Sequence, residues 1–327
     1  MPIGQFLICI CMVTALLSCK DPEKNKALPT SNQSRDIPGS SPYIIVLGTV
    51  QDAGSPQIGC EQECCAGLFS KPEASRKVSS LGIANPSNGR RYLFDATPDI
   101  ASQMKRLTQS ENPSKHEIAD GIFLTHAHIG HYAGLMYLGK EAMDADNVPV
   151  YAMPQMSEFL TKNGPWNQLL HRTNIRLARL RSDSTMILSE DLKVTPFLVP
   201  HRDEYSETVG YRIQGPEKTA LFIPDIDKWS SWDRNIVEEV KKVDYAFLDA
   251  TFFSGRELGN RDMSQIPHPS VQETMRLFED LTQQSKSKII FIHFNHTNPL
   301  LDPESDEFNF VLEHSFGIAK FGDRYDL

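Results

Sequence analysis

Three histidines within six residues, His126, His128 and His131 in "LTHAHIGHYAGL" (Leu124–Leu135), restrict this chain more than any other stretch. The apolar run "GIFLTH" (Gly121–His126) that leads into them reads as a strand. Residues i and i+2 at a strand end project to the same side, so His126 and His128 can converge. His131 follows as the chain turns into a helix and approaches from another direction. The chain has 10 histidines in 327 residues, and chance would place a His-x-His-x-x-His pattern in such a chain about 0.01 times, so the false-positive risk is small. Imidazole is the commonest protein ligand for transition metals. The pattern therefore predicts a metal site at a strand end, where loops converge on a rigid support.

The rest of the chain supplies the support. Runs rich in β-branched and aromatic residues, "YIIVLGTV", "RRYLFDATPDI", "VPVYAM", "LKVTPFLVPH", "TVGYRIQG", "KTALFIPD", "DYAFLDATF" and "KSKIIFIHFNH", read as strands. "SQMKRL", Lys228–Val243 and His268–Ser285 carry apolar residues at helical spacing, the last with a proline in its first turn. Strands outnumber helices and alternate with them, which argues for sheets with helices packed outside. The hydrophobic share of 40% suffices for a core, and a net charge of -9 without a long Lys/Arg run disfavours a nucleic-acid surface. A small-molecule substrate is expected instead; composition says nothing of oligomeric state.

The N-terminus reads as a separate object. "IGQFLICICMVTALLSC" (Ile3–Cys19) is uncharged and mostly apolar, and "KDPEKNKALPTSNQSRDIPGSSP" (Lys20–Pro42) is polar and proline-rich, as flexible tethers are. "LLSC" resembles a bacterial lipobox, although no Lys or Arg precedes the apolar run and Leu17 is bulky for its position. The expectation is a signal peptide over 1–18, lipidation of Cys19, a tether over 19–42 and one folded domain over 43–327. The protein would then be an exported bacterial lipoprotein, attached to a cell-envelope membrane through its lipid. That processing leaves Cys60, Cys64 and Cys65 in the domain. An odd, tightly spaced set is a poor disulfide framework, and metal ligation suits it better.

Taken along the chain, these motifs resemble the metallo-β-lactamase fold superfamily, whose signature is His-x-His-x-Asp-His after a strand. "FDATPD" carries Asp95, "VPHRDEY" His201, "ALFIPDID" Asp225 and "IIFIHFNH" His293, in the family's order. The resemblance implies an αββα sandwich of two central mixed sheets with helices on both outer faces. It implies His126, His128, His131, His201, Asp225 and His293 as metal ligands, and Asp95 as the group that orients a ligand histidine. "GSPQIGC", "DATFF", "IPHPSVQETM" and "FIHFNHTNPLLD" further resemble pyrroloquinoline-quinone biosynthesis protein B, and the cysteines with His293 and His296 resemble the phosphodiesterase of phosphonate degradation. The latter likeness implies a structural zinc on Cys60, Cys64, Cys65 and His296, with adjacent Cys64 and Cys65 departing from the usual spacing. It also implies His268 as a general acid, the alternative being a helix-start residue bonded to a carboxylate.

Gly130 is the main departure, because it stands where the signature has a carboxylate. The site for a second ion would keep His131, His293 and Asp225 and lose one anionic ligand; Asp227 and Asp52 are the substitutes the sequence offers. One or two catalytic Zn2+ ions are expected, with Fe or Mn as other occupants. The leading function is a metal-dependent hydrolase of an ester, above all a phosphodiester. An iron-dependent oxidoreductase of the quinone-biosynthesis type and a non-catalytic binding protein are the alternatives.

Overall fold

The computed structural model describes residues 41–109, 117–258 and 266–327. Cys19, the signal stretch and nearly all of the expected tether lie outside the described residues. The apolar runs form two seven-stranded sheets. Strands β1 (Tyr43–Gly48), β2 (Ser80–Asn85), β3 (Arg90–Phe94), β4 (Gly121–Phe123), β5 (Val148–Ala152) and β6 (Ile175–Arg179) lie side by side in the first. The second holds β7 (Met186–Ser189), β8 (Leu192–Leu198), β9 (Val209–Gln214), β10 (Thr219–Ile223), β11 (Tyr245–Asp249), β12 (Ile289–Ile292) and β13 (Gly317–Ile318) in the same fashion. Finally β14 (Arg324–Asp326) returns to pair with β1. Each sheet is antiparallel on one side and parallel on the other, from β3 to β6 in the first and from β10 to β13 in the second.

Three apolar layers hold this αββα sandwich together. Between the sheets, Phe94, Phe123, Tyr211, Phe222 and Phe247 form the middle layer. Phe123 stacks on Phe94 at 4.9 Å and on Tyr151 at 4.3 Å. Outside the first sheet, Ile100, Met104 and Leu107 of the helix Ile100–Thr108 and Met156 and Leu160 of Pro154–Lys162 cover the strands. Outside the second, Ile236, Val240, Val271, Met275, Phe308 and Val311 do the same. Burying strands on both faces is why β1, β11 and β12 read as unbroken apolar runs rather than alternating ones.

The helices are shorter than their periodicity predicts. Within Lys228–Val243, only Trp229–Ser231 and Ile236–Lys241 are helical, because the Asn235 side chain accepts from the Val237 and Glu238 amides and caps a new helix there. Within His268–Ser285, Ser270 caps a helix over Val271–Leu277 in a reciprocal bond with Glu273, and Thr282 caps a separate turn over Gln283–Lys286. Pro269 therefore precedes the helix. The segment after His131 is also only a short helix, Ile129–Tyr132, continued as 3-10 turns over Ala133–Leu138. Trp229 and Trp232 pack into the outer core, as their apolar spacing suggests.

Candidate metal centre

Strands β3, β4, β8, β10, β11 and β12 all end on one edge of the sandwich, and the candidate ligands sit at those ends. Asp95 follows β3, His126 and His128 follow β4, and His131 lies in the short helix Ile129–Tyr132. His201 lies beyond β8, Asp225 beyond β10, and Asp249 closes β11. His293 follows β12. Asp95 and His293 hold positive φ values, 66° and 69°. Left-handed backbone is uncommon for residues other than glycine, and here it turns both side chains back into the site while hydrogen bonds hold them.

Two Asp–Thr pairs set the histidine tautomers. The Thr125 hydroxyl donates to Asp95 at 2.9 Å. Its single proton is thus committed, so towards His126 Nδ1, 2.9 Å away, it accepts. His126 is then protonated on Nδ1 and presents the Nε2 lone pair to the site. Asp249 and Thr251 repeat the device: the hydroxyl donates to Asp249 at 2.7 Å and accepts from His293 Nδ1 at 3.0 Å. Each aspartate also takes a second imidazole directly, Asp95 from His131 Nδ1 at 2.8 Å and Asp249 from His268 Nδ1 at 2.9 Å. Asp227 takes His201 Nδ1 at 3.0 Å. Such carboxylate partners orient metal-binding imidazoles and raise their basicity.

Two sets of four side chains result, and Asp225 belongs to both. His126, His128, His201 and Asp225 offer ligand atoms within 4.8 Å of one another, and so do Asp52, His131, Asp225 and His293. In the first set Asp225 Oδ2 lies 3.4 Å from His126 Nε2, 3.2 Å from His201 Nε2 and 3.9 Å from His128 Nδ1. Ligands about 2.1 Å from a tetrahedral ion stand about 3.4 Å apart, so these separations suit one. In the second set Asp52 Oδ1 lies 2.9 Å from His131 Nε2 and 3.2 Å from His293 Nε2. Among the described residues, His126 Nε2 is buried without a hydrogen-bond partner, while Asp225 Oδ1, also buried, lies 3.1 Å from His268 Nδ1. Leaving an atom such as His126 Nε2 unsatisfied costs about 1–3 kcal/mol, and a divalent ion in the first set would satisfy it.

The electrostatics follow. Burial works to raise the Asp225 carboxyl, but His268, His201 and His293 outweigh it and hold it well below the usual carboxylate range. Burial likewise opposes the charge on His131, but Asp52 and Asp95 carry its pKa well above that of free imidazole. His268, buried between Asp249 and Asp225, is raised in the same way. Burial, reinforced by His131, pushes His126 down and keeps its lone pair available.

The cysteines form a second centre. Cys60, Cys64, Cys65 and His296 bring their ligand atoms within 4.8 Å of one another, and all three thiols are unpaired. The Cys64 and Cys65 sulfurs are 4.0 Å apart, against about 3.8 Å for two thiolates on a tetrahedral zinc. The short helix Glu63–Ala66 places these adjacent residues so that both reach the cluster. Burial and the neighbouring thiols push Cys64 up to about 12, and a metal is the usual means of deprotonating such a thiol. His296 Nδ1 is buried without a hydrogen-bond partner among the described residues.

The structure thus gathers every candidate ligand and places His268 and Asp95 at the same centre. Of the two carboxylates the sequence offers in place of the one missing at 130, Asp227 bonds the outer nitrogen of His201, and Asp52 lies beside His131 and His293. Thr125 was missed from sequence; its only signal was its position just before His126, within reach of Asp95.

A beta-lactamase superfamily domain profile matches residues 90–294. The coenzyme PQQ synthesis protein B of Acinetobacter baylyi is 26% identical over 287 residues, 81% of this chain and 93% of that protein. That of Cupriavidus necator is 25% identical, over 85% of this chain and 97% of its own. Among solved structures, Zn2+-bound PqqB from Methylobacterium extorquens superposes with a TM-score of 0.70 at 22% identity, over 87% of this chain and all of that one. A diphosphatase of the PhnP family gives 0.59 at 23% identity, over 88% of this chain and 97% of its own.

Proposed function

This chain belongs to the beta-lactamase superfamily, and we propose that it is a metal-dependent hydrolase of small esters, phosphodiesters first. The observation that carries the reading is Asp225, whose carboxylate is shared by two four-residue sets of metal-binding side chains. His126, His128 and His201 with Asp225 would hold one Zn2+, and His131 and His293 with Asp225 would hold a second. Such ions lower the pKa of bound water to about 7 and polarise a phosphoryl or carbonyl oxygen. Asp95 and Asp249 fix the imidazoles, directly and through Thr125 and Thr251. His268 keeps its proton because Asp249 and Asp225 flank Nδ1, which leaves its Nε2–H to protonate a departing alkoxide. Cys60, Cys64, Cys65 and His296 would hold a structural zinc.

Full-length protein, loaded with zinc, is expected to hydrolyse a member of a panel of phosphodiesters, lactones and β-lactams. His126→Ala removes a ligand nitrogen and should reduce that rate at least about 10²-fold; hydrolysis surviving it would overturn the centre's role. The relatives named for coenzyme PQQ synthesis favour a second reading, an iron-dependent oxidoreductase. Bound iron with oxygen consumption and no hydrolysis would select it. The Ile3–Cys19 stretch supports export and attachment through lipidated Cys19. Cys19→Ala should move the protein from the membrane to the soluble fraction; an unchanged distribution would remove the anchor.

A further inference from the structure

The geometry points to Asp52 as the carboxylate that replaces the one missing at position 130, so that a second ion has a full ligand set from a distant loop. This rests on the metal-centre reading above and deepens it. Asp52 lies 79 residues before His131 in the chain, yet its Oδ1 stands 2.9 Å from His131 Nε2 and 3.2 Å from His293 Nε2. The same atom group shares Asp225 within 4.8 Å. The set is two carboxylates and two imidazoles, the composition that the signature with aspartate at position 130 would give.

Gly130 and Asp52 are alternatives in the same space. A Cβ on residue 130 would stand 2.6 Å from Asp52 Cα and 2.7 Å from both its Cβ and its Cγ. No side chain fits there while Asp52 occupies its place. The glycine is therefore the room that Asp52 needs rather than a lost ligand. The loop is held to deliver it. The Gln51 amide donates to Phe294 O at 2.8 Å, and the Phe294 amide donates to Thr49 O at 2.7 Å, so the residues just before Asp52 are paired with the residue just after His293. Val50 also bridges to Val78 and to Phe294. Further along, the same loop carries Cys60, Cys64 and Cys65, whose partner His296 lies three residues beyond His293.

The test is zinc counted per chain by mass spectrometry on the full-length protein after equilibration with Zn2+ and removal of the excess. Each variant's fold is checked by circular dichroism. Asp52→Asn keeps the shape and removes the charge. It should bind one zinc fewer than the natural chain, or hold its weakest-bound zinc at least about tenfold less tightly, the lower end of what loss of even an outer partner costs. Gly130→Asp alone should show the same loss. Full zinc content at unchanged affinity in Asp52→Asn overturns the assignment of Asp52 and leaves the metal centre standing. A natural chain with no zinc beyond that removed by Cys65→Ser overturns the centre itself, and this inference with it.

Discussion

Asp225→Asn should reduce hydrolysis at least about 10³-fold and leave no ion tightly bound at the catalytic centre. Asp225 is the one anion common to both ligand sets. Without it, the first set is three neutral imidazoles, and the second keeps a single carboxylate. The amide is nearly isosteric, so the loss would not come from a cavity. The carboxylate is also buried against His201 and His268, and both imidazoles owe part of their raised pKa to it. The variant should therefore lose metal, while His268 loses one of its two supporting carboxylates and keeps Asp249. Zinc content and the rate on the best substrate decide the matter: a variant that holds all its zinc and reacts within tenfold of the natural rate would show that Asp225 bridges nothing.

Cys65→Ser should remove one zinc and lower the melting temperature by roughly 6–12 °C. Cys65 is the fully buried thiol of its cluster. A serine there leaves three ligands and a buried hydroxyl, and structural zinc contributes folding free energy outright. A loss of about 3 kcal/mol sits within the range for losing a metal site, and in a domain of this size each kcal/mol moves the midpoint by about 2–4 °C. The cluster ties the loop Gln51–Cys65 to the segment His293–His296, and those two segments also carry Asp52 and His293. The second catalytic position should weaken in the same variant, whereas the first, built from His126, His128 and His201, should not. Unchanged zinc content and midpoint would reduce the cysteines to free thiols.

How far each feature could be read depended on how local its cause is. The strands were legible because a run such as "YIIVLG" or "YAFLD" is buried on both faces and needs no partner to be recognised. Most candidate ligands were legible for the same reason, since a strand end fixes the direction of the next side chains. The helices over Lys228–Val243 and His268–Ser285 were misjudged in length, because apolar spacing persists through Asn235 and Thr282 although their side chains cap new turns. Strands β2, β6 and β7, and the short edge strands β13 and β14, have no clear pattern of their own; pairing with neighbours makes them.

The chain read alone yields sheets with helices packed outside, the three-histidine run and the clustered cysteines, because those residues lie close together along it; the αββα order and His296 as the cysteines' partner came from the resemblance along the whole chain. Only the tertiary structure decided that Asp227 serves His201, that Thr125 and Thr251 set the tautomers, and which residue fills the space beside Gly130. Each depends on at least one contact between segments well separated in the chain. A missing side chain in a motif records an absence, and the packing around it shows what has moved in.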